Sequence, residues 1–278
     1  MRHIQRAFLT AFLLAAASIA AAQGIAFITN LKGEVALDGN PRPQLLAELS
    51  KGQRITVGRD SLASVMYIAS GKEYVLKGPA DYLVKDTEIS GSTAMPPVTR
   101  DTTWRTTNKV LVQVAQTSAA SVRMRSIAQP RPEPQQKLIY PTQGNIATLQ
   151  PTFLWKLADA KAQGEFVLLA DGVEKPVHQA KTAGGTYRVP AKLQPDKDYS
   201  WYVTVAGNEI GSGRFRTLSA DAVTQIERRR PADKADFSDR LLFTLMLHEM
   251  GAAQEAREAW AKLSQERADL PELAALAK

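Results

Sequence analysis

The sequence predicts a mainly β protein with a helical tail, and three observations carry that reading. Residues 24–91 form a series of short apolar runs broken by glycine turns about every ten residues. Residues 140–218 repeat the habit and contain one strand of unbroken period-two alternation. After Ser219 the apolar spacing changes to three and four, which is the period of a helix.

In the first block, Ile25 to Ile28 opens a strand. Val35 and Leu37 alternate before Asp38-Gly39-Asn40, a pairing of strong turn formers because glycine accepts positive φ. Ile55 and Val57 precede Gly58-Arg59-Asp60. Ala63, Val65, Tyr67 and Ala69 alternate up to the turn Ser70-Gly71-Lys72. Tyr74 and Leu76 share a face, Gly78-Pro79 ends that strand, and Tyr82 and Val84 begin another. This describes a small all-β domain over residues 23–95. Residues 96–137 are less regular. Val110 to Val114 is β-rich, yet Lys109 to Met124 also fits one weak helix, and the two readings stay open. Gln129 to Gln136 alternates prolines, which lack amide donors and lock φ, so it is an expected linker.

The second β domain is expected over residues 138–218. Phe153, Leu154 and Trp155 follow Pro151. Phe166 to Ala170 ends at the turn Asp171-Gly172, with Val177 to Ala180 as its hairpin partner. Tyr199, Trp201, Val203 and Val205 share one face of the clearest strand, opposite Ser200, Tyr202 and Thr204. Gly213 to Thr217 closes the block. About seven short strands in roughly 80 residues predict an immunoglobulin-like sandwich. The helical tail, 219–278, starts with a polar stretch from Asp221 that Pro231 stops. Ser238 is the expected cap of a helix through Leu241, Leu242, Leu245 and Met246 to Gly251. Ala253, Ala256, Trp260 and Leu263 then give one apolar stripe, and Pro271 opens a last short helix.

The N-terminus has the layout of a cleavable export signal over residues 1–22. Arg2 and Arg6 precede an apolar run that includes Phe8, Leu9, Phe12, Leu13 and Leu14. Ala20-Ala21-Ala22 before Gln23 makes the A-x-A pattern, with Ala20, Ala22 and Gln23 framing the cut. The run is shorter than the roughly 18–20 apolar residues a permanent anchor needs. The mature chain is therefore expected to be periplasmic, with no membrane span. Arg2 and Arg6 leave with the signal, so 33 Lys and Arg face 28 acids, a mild excess of five. That excess suits a soluble surface, and export argues against a nucleic-acid partner. With no cysteine, the chain has neither disulfides nor a thiol nucleophile.

Three resemblances have residues behind them. Leu31-Lys32-Gly33-Glu34-Val35, Leu49 to Ile55, Gly58-Arg59-Asp60-Ser61, Ser70-Gly71 and Leu76-Lys77-Gly78-Pro79 follow the order of motifs in FecR-type domains of bacterial envelope proteins. The first block, about a quarter of the chain, resembles that family, which includes membrane-spanning regulators of sigma factors. A cleaved signal and no second span would place this chain beyond the membrane instead. Pro151 to Trp155, and Leu193 to Tyr199 followed by Trp201 and Val203, are similar to fibronectin type III-like domains. That resemblance implies a spacer or protein-binding module. Gly251, Ala256 and Trp260 fall where a tetratricopeptide repeat has its turn glycine, small residue and bulky aromatic, while Leu263 departs from the pattern.

No catalytic constellation is legible, so no catalytic, cofactor or metal residue is expected. His3 leaves with the signal, and His178 and His248 stand apart without metal-ligand spacing. No Gly-x-Ser-x-Gly elbow occurs. Glu165, Asp171 and Glu174 cluster near one hairpin without defining a cleft wall. Arg228-Arg229-Arg230 is the densest charge run, either a contact for an acidic partner or a solvated helix end. Trp155, Trp201 and Trp260 sit on apolar faces and belong to cores. Trp104, beside Arg100, Asp101 and Arg105, is the tryptophan in a polar setting and joins the three arginines as a candidate partner contact. These features point to an exported, non-enzymatic binding or scaffolding protein of the cell envelope, with a role in organisation or signalling. The alternatives are recognition of a cell-wall glycan and, behind it, a cryptic hydrolase.

Overall fold

The computed structural model describes residues 24–92, 94–102, 104, 138–159, 161–232 and 234–277. The signal with its Ala20, Ala22 and Gln23, the stretch 109–124 and the proline-rich 129–136 lie outside the described residues. The architecture is mainly β, 38% strand and 20% helix, with several antiparallel sheets and C-terminal helices.

The first unit holds β1 (Ala26–Lys32), β2 (Val35–Leu37), β3 (Glu48–Leu49), β4 (Arg54–Val57), β5 (Leu62–Tyr67), β6 (Glu73–Lys77), β7 (Ala80–Val84), β8 (Ile89–Ser90) and β9 (Val98–Arg100). They pair as two sheets, β3-β1-β5-β6-β9 and β2-β4-β7-β8. β9 and the buried Trp104 extend this unit into the segment that looked irregular in the sequence. Two motif glycines have local reasons. Gly33 has φ of 75°, and a Cβ there would overlap the Ser61 hydroxyl. A Cβ on Gly78 would overlap the Gly58 carbonyl oxygen. Ser61 in turn accepts a hydrogen bond from the Glu34 amide at 2.9 Å. The glycines and serine of three separate motifs therefore meet at one end of this unit.

The second unit holds β10 (Leu138–Tyr140), β11 (Asn145–Ile146), β12 (Thr152–Trp155), β13 (Gln163–Ala170), β14 (His178–Ala183), β15 (Thr186–Arg188), β16 (Asp198–Val205) and β17 (Asn208–Thr217). Its sheets are β10-β12-β15 and β11-β17-β16-β13-β14. Alternation in β16 is as the sequence predicts: Tyr199, Trp201 and Val203 are buried and Ser200, Tyr202 and Thr204 are not. Phe153 anchors the core, with its ring 4.7 Å from Phe166, 4.9 Å from Trp201 and 5.8 Å from Phe215. The Trp201 indole donates to the Pro141 carbonyl at 2.7 Å, which satisfies its only polar atom in the core.

The tail forms α1 (Ala220–Arg229), α2 (Phe237–Glu249), α3 (Ala253–Glu266) and α4 (Pro271–Leu276). Its helices share one apolar core with the first unit, while the second unit keeps a separate core. Strand β5 shows why. Its side chains are buried on both faces, apart from a partly exposed first residue. Cross-strand partners Phe27, Met66, Glu73 and Arg100 lie on one face and look toward α2. Tyr67 lies on the other face and directs its hydroxyl to the Lys85 and Glu88 carbonyls, at 2.8 and 2.5 Å, in the opposing sheet. The first unit is thus layered as sheet, sheet, helix. The middle of α2, Leu241 to Leu247, is buried on every side of the helix.

The α2 start differs from the sequence expectation. Asp236 occupies the cap position, and Ser238 is buried inside the first turn. Asp236 makes no side-chain cap because its carboxylate is drawn to Arg100 at 2.8 Å. Gly251 ends this region with φ of 78°, as expected of a terminating glycine. Arg267, just past α3, donates to Asn30 at 2.6 Å and to the Leu31 carbonyl. Glu272 of α4 accepts from the Leu45 amide at 3.1 Å.

Helix α3 also grips the second unit. Glu255 accepts from the Tyr140 hydroxyl at 3.0 Å and the Ala147 amide at 2.7 Å. Gln254 accepts from the Thr142 amide at 3.2 Å and donates to the Ile139 carbonyl at 2.5 Å. Burial raises the pKa of Glu255 above its ordinary 4.5, and the Ala147 amide bond offsets part of that rise. The folded state then holds this proton more tightly than the unfolded chain does. Its stability falls as pH rises from the ordinary value through the raised one. Glu255→Gln is expected to flatten that fall above pH 4.5, because it keeps an acceptor and removes the charge. Urea midpoints of both proteins across a pH series check it; parallel curves would exclude the role.

Candidate ligand-binding site

Among the described residues, the second unit carries an open depression of about 390 Å³. It is lined by Gly144, Asn145, Asp171, Asp198, Tyr199, Ser200, Arg214, Phe215 and Arg216. Sheet register explains the grouping. Asp198 pairs with Arg216, and Ser200 with Arg214, across β16 and β17. Asn145 of β11 pairs with Arg216 from the other side. The Asp171 amide bonds to the Asp198 carbonyl at 2.9 Å, which sets the β13–β14 turn beside them. Tyr199 and Phe215 direct their rings inward, stacked at 5.4 Å, and form the floor.

Arg216 is committed to its neighbours, at 2.9 Å from Asp196 and 2.5 Å from Asp198. Its hydrogen bond to Asp196 and the charge of Asp198 raise its pKa. Arg214 and Asp171 are exposed, and neither side chain makes a hydrogen bond or ion pair with any described residue. Two opposite charges therefore remain unspent in one depression. Such an arrangement can hold a charged or zwitterionic ligand.

The candidate residues from the sequence are dispersed. Trp104 is 1% exposed and sits in the core shared by the first unit and the helices. Its polar neighbour Arg100 faces inward to a buried carboxylate, so polarity in sequence did not mean exposure. Arg228 and Arg229 lie in the last turn of α1, where cations suit the negative end of the helix. Arg230 follows, paired with Glu227 at 3.0 Å and placed over the Phe243 ring. His178 contacts the Tyr187 hydroxyl and stacks on its ring, which closes one edge of the sandwich. His248 occupies the last turn of α2.

Glu165 is bound by Gln179 at 2.7 Å. It stands six positions from Asp171, roughly 20 Å along an extended chain, beyond the span of a glycosidase pair. Among the described residues, no three His, Asp or Glu side chains are grouped to hold a metal ion, and no helix is long and apolar enough to cross a membrane.

The sequence reading passed over Arg214, Asp198 and Ser200. A signal for them existed: Arg214 and Arg216 alternate in a predicted strand, which places two cations on one solvent face. No protein-family model and no curated protein matches the chain.

Proposed function

We propose that this chain is an exported, non-enzymatic binding or scaffolding protein of the bacterial cell envelope, acting in envelope organisation or signalling. The observation that carries the reading is the strand-built depression with an unspent Arg214 and Asp171. Strand β17 and the turn that follows β13 fix the backbone positions of these two residues. The frame around it supports the same reading. Helix α3 bonds to the second β unit through Glu255 and Gln254 and packs against α2, which shares the core of the first. A ligand held by the second unit is thereby linked mechanically to the first.

Two finer likenesses belong to this proposal. Meeting of Gly33, Ser61, Gly58 and Gly78 gives a physical reason for the ordered motifs of a FecR-type domain. The Tyr199 hydroxyl accepts from the Gln194 amide at 3.0 Å, beside buried Leu193, which favours the fibronectin type III-like reading of the second unit. Recognition of a cell-wall glycan is less well supported, because all four tryptophans are buried and none is free to stack on a sugar. Crosslinking in intact cells followed by capture of this chain is the test. Reproducible recovery of an envelope component is expected; recovery of none would count decisively against the proposal.

A further inference from the structure

Arg216, Asp196 and Asp198 satisfy one another. What remains is one guanidinium, Arg214, and one carboxylate, Asp171, both exposed and both lining the same depression. A polyanion would meet the carboxylates of Asp171 and Asp198, and a polycation would meet the two arginines. We propose that the depression binds a small zwitterion, an amino acid or short peptide, whose carboxylate meets Arg214 and whose ammonium meets Asp171. This rests on the binding-protein reading above and names its ligand.

The surroundings fit that chemistry. Ser200 is the cross-strand partner of Arg214, so its hydroxyl stands ready as a second donor to the carboxylate. A guanidinium presents two parallel N–H groups, which match a carboxylate in plane. About 390 Å³ is near the lower end of small-ligand sites, which suits one or two residues. Solvent-exposed ion pairs are weak, so the affinity will be low and will fall with added salt.

Calorimetric or NMR titration of the full chain with Ala-Ala, alongside N-acetyl-Ala-Ala and Ala-Ala-amide, tests this. The free dipeptide is expected to bind, and each capped form to bind at least about fivefold more weakly, since each cap removes one charged contact. Arg214→Gln and Asp171→Asn should each cause a comparable loss, with urea midpoints unchanged because both positions are exposed. Arg228→Gln, outside the depression, should change nothing. Free alanine in parallel separates an amino-acid site from a peptide site. Equal binding of free and capped peptides, variants that bind normally, or no binding at millimolar peptide would each overturn the proposal. The envelope-capture experiment reads out separately: a partner recovered without dipeptide binding removes the zwitterion site and leaves the scaffolding role.

Discussion

Arg100→Ala is expected to cost about 3–5 kcal/mol of stability, because it strands a buried charge. Glu73 is fully buried, with one carboxylate oxygen 2.6 Å from the Thr29 hydroxyl and the other 2.5 Å from Arg100. The same guanidinium reaches Asp236 at 2.8 Å and Asp239 at 2.7 Å, at the start of α2. Burial works against the Arg100 charge, yet the Asp239 hydrogen bond and the Glu73 charge outweigh it and raise the pKa. One cation thus joins the sheet to the helix that covers it. Removing it leaves a carboxylate in the core and two more facing each other across α2's first turn. The midpoint of urea unfolding should fall accordingly. A double variant, Arg100→Met with Glu73→Gln, should recover much of the loss, since both charges leave together. An Arg100→Ala unfolding free energy within about 0.5 kcal/mol of the parent would refute the argument, that being the range of ordinary surface changes.

This buried network marks where the sequence stopped being legible. The helix of the Trp260 stripe, the terminating Gly251 and the alternation of β16 could all be read, because each depends on neighbours within one turn or one strand. Sheet coverage could not. Ala63, Val65 and Tyr67 showed an inward face, but the opposite face of β5 carries Ser64 and Met66, which look like solvent positions beside a polar residue. Both are buried, and Met66 belongs to the core that this unit shares with helices some 170 residues later. Glu73 and Trp104 were hidden for the same reason. A charged residue is buried only when its partner arrives, and Arg100 arrives from β9, 27 positions on. The depression is a further case. Asp171, Asp198 and Arg214 come from three separate stretches, and only the register of β13, β16 and β17 gathers them. Arg228, Arg229 and Arg230 stood out in sequence because they are adjacent, and adjacency on a helix spreads side chains around it instead of gathering them.

Removing residues 219–278 should unfold the first unit while leaving the second intact. The helices contribute Ile226, Phe237, Leu241, Leu242, Leu245, Met246, Trp260 and Leu263 to the core they share with the first unit. Each such side chain stabilises by about 1.5–3 kcal/mol when fully buried, so the eight together contribute roughly 12–24 kcal/mol, as much as or more than the 5–15 kcal/mol that usually separates folded from unfolded domains. Without them, Phe27, Met66 and Glu73 face water, and Arg100 loses both aspartates of α2. The sandwich keeps its own core of Phe153, Trp155, Phe166, Trp201 and Phe215, and loses the bonds from Glu255 and Gln254 and the packing of α3 on β11 at its edge. Hydrogen exchange of the truncated chain should therefore show β1, β5 and β6 unprotected and β13, β16 and β17 still protected. Emission from Trp155 and Trp201 should stay that of buried indoles. Persistent protection of β5 would mean that two sheets suffice without the helices, and the layered reading of the first unit would be wrong. The expected outcome ties function to chain order: the unit made first cannot complete its core until the last sixty residues have been added, so both β units and the helical clamp reach their working arrangement together.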